Sequence, residues 1–240
     1  MIFPNVLFDA IFMAVMAGAA SMLGGALGQV SFIKRDWINS ELRHGILAVG
    51  GGALVAAVAL VLVPDGMELL PAWAAVLSFL LGAFAFMQLD LYLARKGTPI
   101  AQLIALLLDY IPETIVLGAI ITENYSKAVF ISVIMMVQNV PEGFNAYREL
   151  KGNKSGVLAK HIYLTFAAVI ALGIVSAWVG VRVIEDSSSL LGVVMLFCSG
   201  GILYLVFQDI APELKLENSH YPAYGAVLGF AVGLIGHSFV

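Results

Sequence analysis

Two short segments set polar groups inside otherwise apolar stretches of this 240-residue chain: DYIPET, from Asp109 to Thr114, and QNVPEG, from Gln138 to Gly143. Both run polar, variable, aliphatic, proline, glutamate, and their prolines, Pro112 and Pro141, stand 29 positions apart. In helical geometry Asp109 and Glu113 are four apart on one face, as are Gln138 and Glu142, with Asn139 three before Glu142. One helix face therefore offers two carboxylates, and its counterpart offers a carboxylate and two amides. Neither proline can donate a backbone hydrogen bond, so each helix should kink and free the carbonyl of Leu108 or Val137 as a further acceptor. Three carboxylates brought together repel one another unless protons or a cation neutralise them. The simplest physical reading of such an oxygen-rich cage is a cation site.

The elements that must position these groups are long apolar runs at about 8–32, 43–63, 72–93, 100–122, 127–147, 157–183, 190–211 and 221–240, each near the roughly 20 residues a membrane-spanning helix needs. Both motifs fall roughly ten residues from either end of their runs, near the bilayer centre at 1.5 Å per residue. An ionisable group at that depth costs about 2.5–3.5 kcal/mol on insertion scales, so it needs a partner or a function. The expected fold is an all-α integral membrane protein of one domain with eight transmembrane helices. Connections as short as ARKGTP, TENYSK and EDSSS make successive helices alternate in direction. Alternate connections hold Lys34, Arg35, Arg43, Arg95, Lys96, Arg148, Lys151, Lys154, Lys160 and Lys215, whereas the others hold only Lys127 and Arg182. Because Lys and Arg accumulate on the cytoplasmic side, both termini are expected on the non-cytoplasmic side.

Composition narrows the function classes. With 61% hydrophobic and 12% charged residues, the chain departs from a soluble domain, where about 45–50% and about 25% are usual. A net charge of −4 provides no basic surface for nucleic acid. One cysteine, Cys198, makes no intrachain disulfide. The first basic residue is Lys34, so the leading apolar run lacks a signal-peptide n-region and reads as a span. Gly24, Gly25 and Gly28, Gly50 to Gly52, and Gly225, Gly229 and Gly233 put small residues where helices approach closely. The last of these stripes is also a candidate contact for a homodimer.

At DYIPET and QNVPEG the chain resembles the ZIP (Zrt/Irt-like) family of divalent metal transporters, in its small bacterial form. That family carries H-N-x-P-E-G motifs in its fourth and fifth spans. QNVPEG follows the motif closely and DYIPET more loosely, while LGAFAFMQLDLYL resembles the family's third span and GGILYLVFQDIAPEL its seventh. The resemblance implies eight spans with both termini outside and a metal site between helices 4 and 5. Its ligands would be Asp109, in the usual histidine's place, with Glu113, Gln138, Asn139 and Glu142. Tyr110 stands for the usual asparagine, Thr114 stands for a glycine, and the sixth span has no acidic residue, which argues against a full two-metal site. ARKGTP lacks the histidines of many relatives' loop. The implied activity is not enzymatic. A divalent metal would be moved into the cytoplasm across the cell membrane, as cargo and not as a resident cofactor. Family membership favours zinc. A carboxylate and amide set without imidazole suits harder ions and leaves iron(II) and manganese open.

Other polar residues have weaker claims. Gln208, Asp209 and Glu213, at the inner end of the seventh span, would receive an ion leaving toward the cytoplasm, or else cap the helix beside Pro212. Asp65 and Glu68 fall in an outer connection and read as a solvated loop more readily than as an entrance. Asp90 is placed to pair with Arg95 or Lys96. His44, His161, His220 and His237 lie near span ends, where interfacial roles are usual, and Met135 and Met136 suit packing better than ligation. Rival functions are a proton or monovalent-cation carrier using the same carboxylates, and a non-transporting metal sensor. An aspartyl protease pairing Asp109 with Asp209 fits poorly, because the two lie at different depths and no G-x-G-D motif occurs.

Overall fold

A computed structural model describes residues 5–30, 36–94, 99–152, 158–184, 187–214 and 220–239. Of residues 36–43, 94, 99–107, 109, 149, 152, 183–184 and 213 it describes the backbone alone. Lys34, Arg35, Arg95, Lys96, Lys154 and Lys215, on which part of the expected orientation rests, lie outside the described residues.

Every described element is helical, and the elements form eight rods. They are α1 (Val6–Gln29), α2 (36–68), α3 (Ala72–Ala94), α4 (Pro99–Ile120), α5 (Tyr125–Gly152), α6 (159–184), α7 (188–213) and α8 (Tyr221–His237). Three rods contain one wider, π-helical turn: Val58–Leu62 in α2, Gly180–Ile184 in α6 and Val206–Ile210 in α7. Two rods outrun the apolar runs that announce them. α2 continues through Val63–Glu68, where Pro64 sits in the first turn after the π segment and tolerates its missing N–H. α5 continues to Gly152, with the Arg148 guanidinium 5.5 Å from the Phe144 ring centre and Leu150 buried. Backbone hydrogen bonding does not stop where hydropathy does. Both α4 and α5 also run on as helix across their internal prolines.

Five helices among the described residues are long and apolar enough to cross a membrane: Val6–Gln29, His44–Glu68, Ala72–Leu93, Ala159–Arg182 and Ser188–Ile210. Their outward faces are apolar at helical spacing, as with Phe8, Phe12, Met16, Leu23 and Leu27 on α1 and Trp73, Val76, Leu80 and Phe84 on α3. Exposed apolar surface on this scale fits a lipid surround. α5 is more polar because it is the inner rod, packed against α1, α2 and α4.

Close packing follows one rule throughout. The rods associate as α1 with α5, α2 with α8, α3 with α7 and α4 with α6, and each pair is joined by two glycines facing each other's backbone. A Cβ on Gly24 would overlap the carbonyl oxygen of Val140, and one on Gly143 that of Ser21. The same reciprocity holds for Gly52 with Ala226 and Gly229 with Val49, Gly82 with Phe197 and Gly200 with Phe79, and Gly118 with Ala177 and Gly180 with Ile115. Without a hydrophobic drive between helices in lipid, backbones brought this close gain dispersion that a side chain would forbid. The Gly225, Gly229, Gly233 stripe packs in this way on Gly45, Val49 and Ala56 of α2.

The pairing is unchanged when α1, α2, α3 and α4 are exchanged with α6, α7, α8 and α5. Lesser contacts obey the exchange too, with α2 on α5 answered by α7 on α4, and α3 on α4 by α8 on α5. Two three-helix groups thus flank the central pair α4 and α5.

Gly200→Ala should destabilise the protein by about 1–3 kcal/mol, because its methyl must displace the Phe79 carbonyl. Gly45→Ala, with nothing within 4 Å of the new methyl, should be neutral or stabilise by about 0.5–1 kcal/mol. Unfolding of both variants in detergent micelles measures the contrast.

Candidate cation site between α4 and α5

The central pair meets through its most polar residues. Glu113 of α4 is 3% exposed, and Gln138 and Asn139 of α5 are fully buried. Nε2 of Gln138 donates to both carboxylate oxygens of Glu113, at 2.8 Å to Oε1 and 2.7 Å to Oε2. A carboxylate only accepts, so the amide turns its nitrogen toward it and its own oxygen away. That oxygen, Oε1 of Gln138, is buried without a hydrogen-bond partner.

Asn139, one position on, looks in another direction. Its Nδ2 donates to the carbonyl of Ala17 on α1 at 2.8 Å, and its Oδ1 is likewise buried without a hydrogen-bond partner. Close approach makes this contact possible, since the Gly24 and Gly143 crossing brings the α1 backbone against this stretch of α5. Leaving a buried acceptor unmatched costs about 1–3 kcal/mol. Two successive residues of α5 thus each keep a buried oxygen short of a donor, and the first of them holds the Glu113 carboxylate. Glu142 is half-buried one turn beyond Gln138. The side chain of Asp109 lies outside those described, so of the five expected ligands the structure joins Glu113 to Gln138 directly. Among the described residues no three His, Cys, Asp or Glu side chains gather into one group.

The surroundings explain how the pair is held. Thr114, which stands where the motif has glycine, is buried and donates to the carbonyls of Tyr110 and Ile111, both at 2.9 Å. Tyr110 turns away from α5. Its hydroxyl donates to Ala14 of α1 at 2.5 Å, and its ring fills the space left by Gly18 and Gly173, where a Cβ would collide with it. Pro141 packs on Gly50 of α2, where an added Cβ would stand 3.1 Å from its ring. α1 therefore serves as a backbone rail, and its carbonyls at Ala14 and Ala17 fix one residue from each central helix. Sequence reading missed Tyr110 as a wedge, although Gly18 and Gly173 were visible as isolated glycines in apolar runs.

Several outlying residues differ from expectation. Asp65 is not in a solvated loop: it sits in the helical tail of α2 with both oxygens on Nζ of Lys127, at 2.8 and 2.7 Å, tying α2 to the start of α5. Asp90 accepts from the Tyr204 hydroxyl at 2.9 Å, while Arg95 and Lys96, its expected partners, lie outside the described residues. Gln208 and Asp209 are exposed on the π-helical turn of α7, and the side chain of Glu213 is outside those described. Met135 is fully buried in the apolar core, and Cys198 is buried with it. Comparison of the chain with protein-family models finds no matching family, and comparison with curated proteins finds no matching relative.

Tyr110→Phe removes the hydroxyl with its bond to Ala14 and should cost about 1 kcal/mol. Tyr110→Ala empties the space between α1, α4 and α6 and should cost about 3–5 kcal/mol. Equilibrium unfolding of the two variants separates the hydroxyl from the ring.

Proposed function

We propose that α4 and α5 hold a divalent cation midway through a membrane crossed by all eight rods, and that the chain carries this cation into the cytoplasm as ZIP-like transporters do. One observation carries the reading. Oε1 of Gln138, on the amide that holds the buried Glu113 carboxylate, is a buried acceptor without a donor, as is Oδ1 of Asn139 one position on, and a cation is a partner that would satisfy such oxygens. The motif resemblance points the same way, and so does the exchange relation between the two helix groups, since inverted repeats place the site of a carrier at their midplane junction.

In this reading Glu113 and Glu142 supply charge, Gln138 and Asn139 supply neutral oxygens, and Asp109 completes the set from α4. The ten basic residues assigned to one side make that side cytoplasmic and put both termini outside. Transport proceeds by alternating access, with the flanking groups rocking about the central pair. Gln208, Asp209 and Glu213 would meet the ion at the inner end of α7. The cargo is zinc by resemblance, with iron(II) and manganese equally compatible with oxygen ligands.

Purified protein in liposomes should take up zinc, manganese or iron(II), and Glu113→Ala and Glu142→Ala should each lower the rate at least about tenfold, the loss of a charge-bearing ligand. Protons compete for the same oxygens, so metal affinity should fall as the medium is acidified. Undiminished uptake by both variants would refute the assignment, and proton flux without stoichiometric metal binding would favour a proton carrier on the same carboxylates.

A further inference from the structure

Resting on that reading of the α4–α5 site, we propose that Gln138 is a built-in stand-in for the cation and sets the preference of the site for divalent over monovalent ions. The amide nitrogen lies 2.8 Å from one oxygen of Glu113 and 2.7 Å from the other. It thus stands before the mouth of the carboxylate, in the seat taken by an ion that binds both oxygens. The other end of the same amide, Oε1, is buried without a hydrogen-bond partner in a side chain that has no exposed surface.

Half a turn about the Cγ–Cδ bond exchanges the two ends, and terminal amide torsions of this kind are broad and roughly two-fold. The exchanged state sets an acceptor against a carboxylate, which is unfavourable until a cation lies between them. Ligand oxygens around a tetrahedral ion with bonds of about 2.0–2.2 Å are roughly 3.4 Å apart. The present separations are 2.7 and 2.8 Å, so admission needs a shift well under an ångström. An entering ion must displace both hydrogen bonds. At equal distance a divalent ion attracts the carboxylate twice as strongly as sodium or potassium does, so the amide keeps Glu113 covered against the monovalent ions and yields to the divalent one.

The test uses the full chain in liposomes, with manganese as the transported probe and sodium as competitor. Gln138→Met keeps length and bulk while removing donor and acceptor. The sodium concentration that halves manganese uptake should fall by about tenfold or more in this variant, the fold-change of one lost hydrogen bond to a charged group. A second readout needs no substitution. Infrared difference spectra of wild-type protein with carbon-13 glutamine should show a buried side-chain amide carbonyl moving to lower frequency when manganese is added. An unmoved band overturns the proposal, as does wild-type sodium sensitivity in folded Gln138→Met, and the band alone decides should that variant not fold. In those outcomes Glu113-dependent manganese binding persists and the carrier reading stands, whereas loss of that binding in the wild type removes the carrier reading itself.

Discussion

A carboxylate buried to 3% exposure in an apolar bundle is the constraint on which the remaining arrangement depends. Glu113 must be matched, because an unmatched charge in such surroundings costs several kcal/mol. Gln138 meets that need with two hydrogen bonds from one nitrogen. The match fixes the rotation of α4 against α5, and the rest of the fold holds that rotation. Tyr110 wedges α4 against α1 and α6, Asn139 ties α5 to the carbonyl of Ala17, and Pro141 beds on Gly50. A neutral amide hydrogen-bonds the carboxylate without supplying a positive charge, so an ionised Glu113 would keep a reason to take a cation.

Glycine makes the holding possible. At each of the four close crossings a glycine on either rod faces the partner's carbonyl, which puts backbone within reach of side chains such as Asn139. The crossings obey an exchange that swaps the two three-helix groups and maps α4 onto α5. The glycine crossings set Gly118 in correspondence with Gly143 and Ile115 with Val140, so the exchange places Glu113 in correspondence with Gln138, and the two motifs stand one helical turn out of register where the groups join.

Much of this was legible in the sequence, for reasons that vary by element. Segments rich in Val, Leu and Ile announced their helices by length alone, so α1, α3, α6 and most of α7 begin and end close to the apolar runs. α2 and α5 ran further, because residues such as Asp65 and Arg148 continue a helix without raising its hydropathy. Asp65 was misplaced for the same reason. Its partner Lys127 is 62 positions away, and no local pattern reports such a pairing. The glycine stripes at Gly24 to Gly28 and Gly225 to Gly233 showed close packing, but single glycines such as Gly82, Gly143 and Gly180 gave no periodic sign of their role. The direction of Asn139, toward α1 and away from α4, depends on which helix lies on which side of α5, and helical spacing cannot supply that.

The most direct test of the central claim is to locate the ion. Anomalous diffraction at the zinc edge, from crystals of the full chain grown with zinc, should give a peak between α4 and α5. The ion should lie about 2.0–2.2 Å from an oxygen of Glu113, with Oε1 of Gln138 turned toward it. Zinc ordered only elsewhere, for example at the exposed Gln208 and Asp209, with the Gln138 amide still closed on Glu113, would contradict the account.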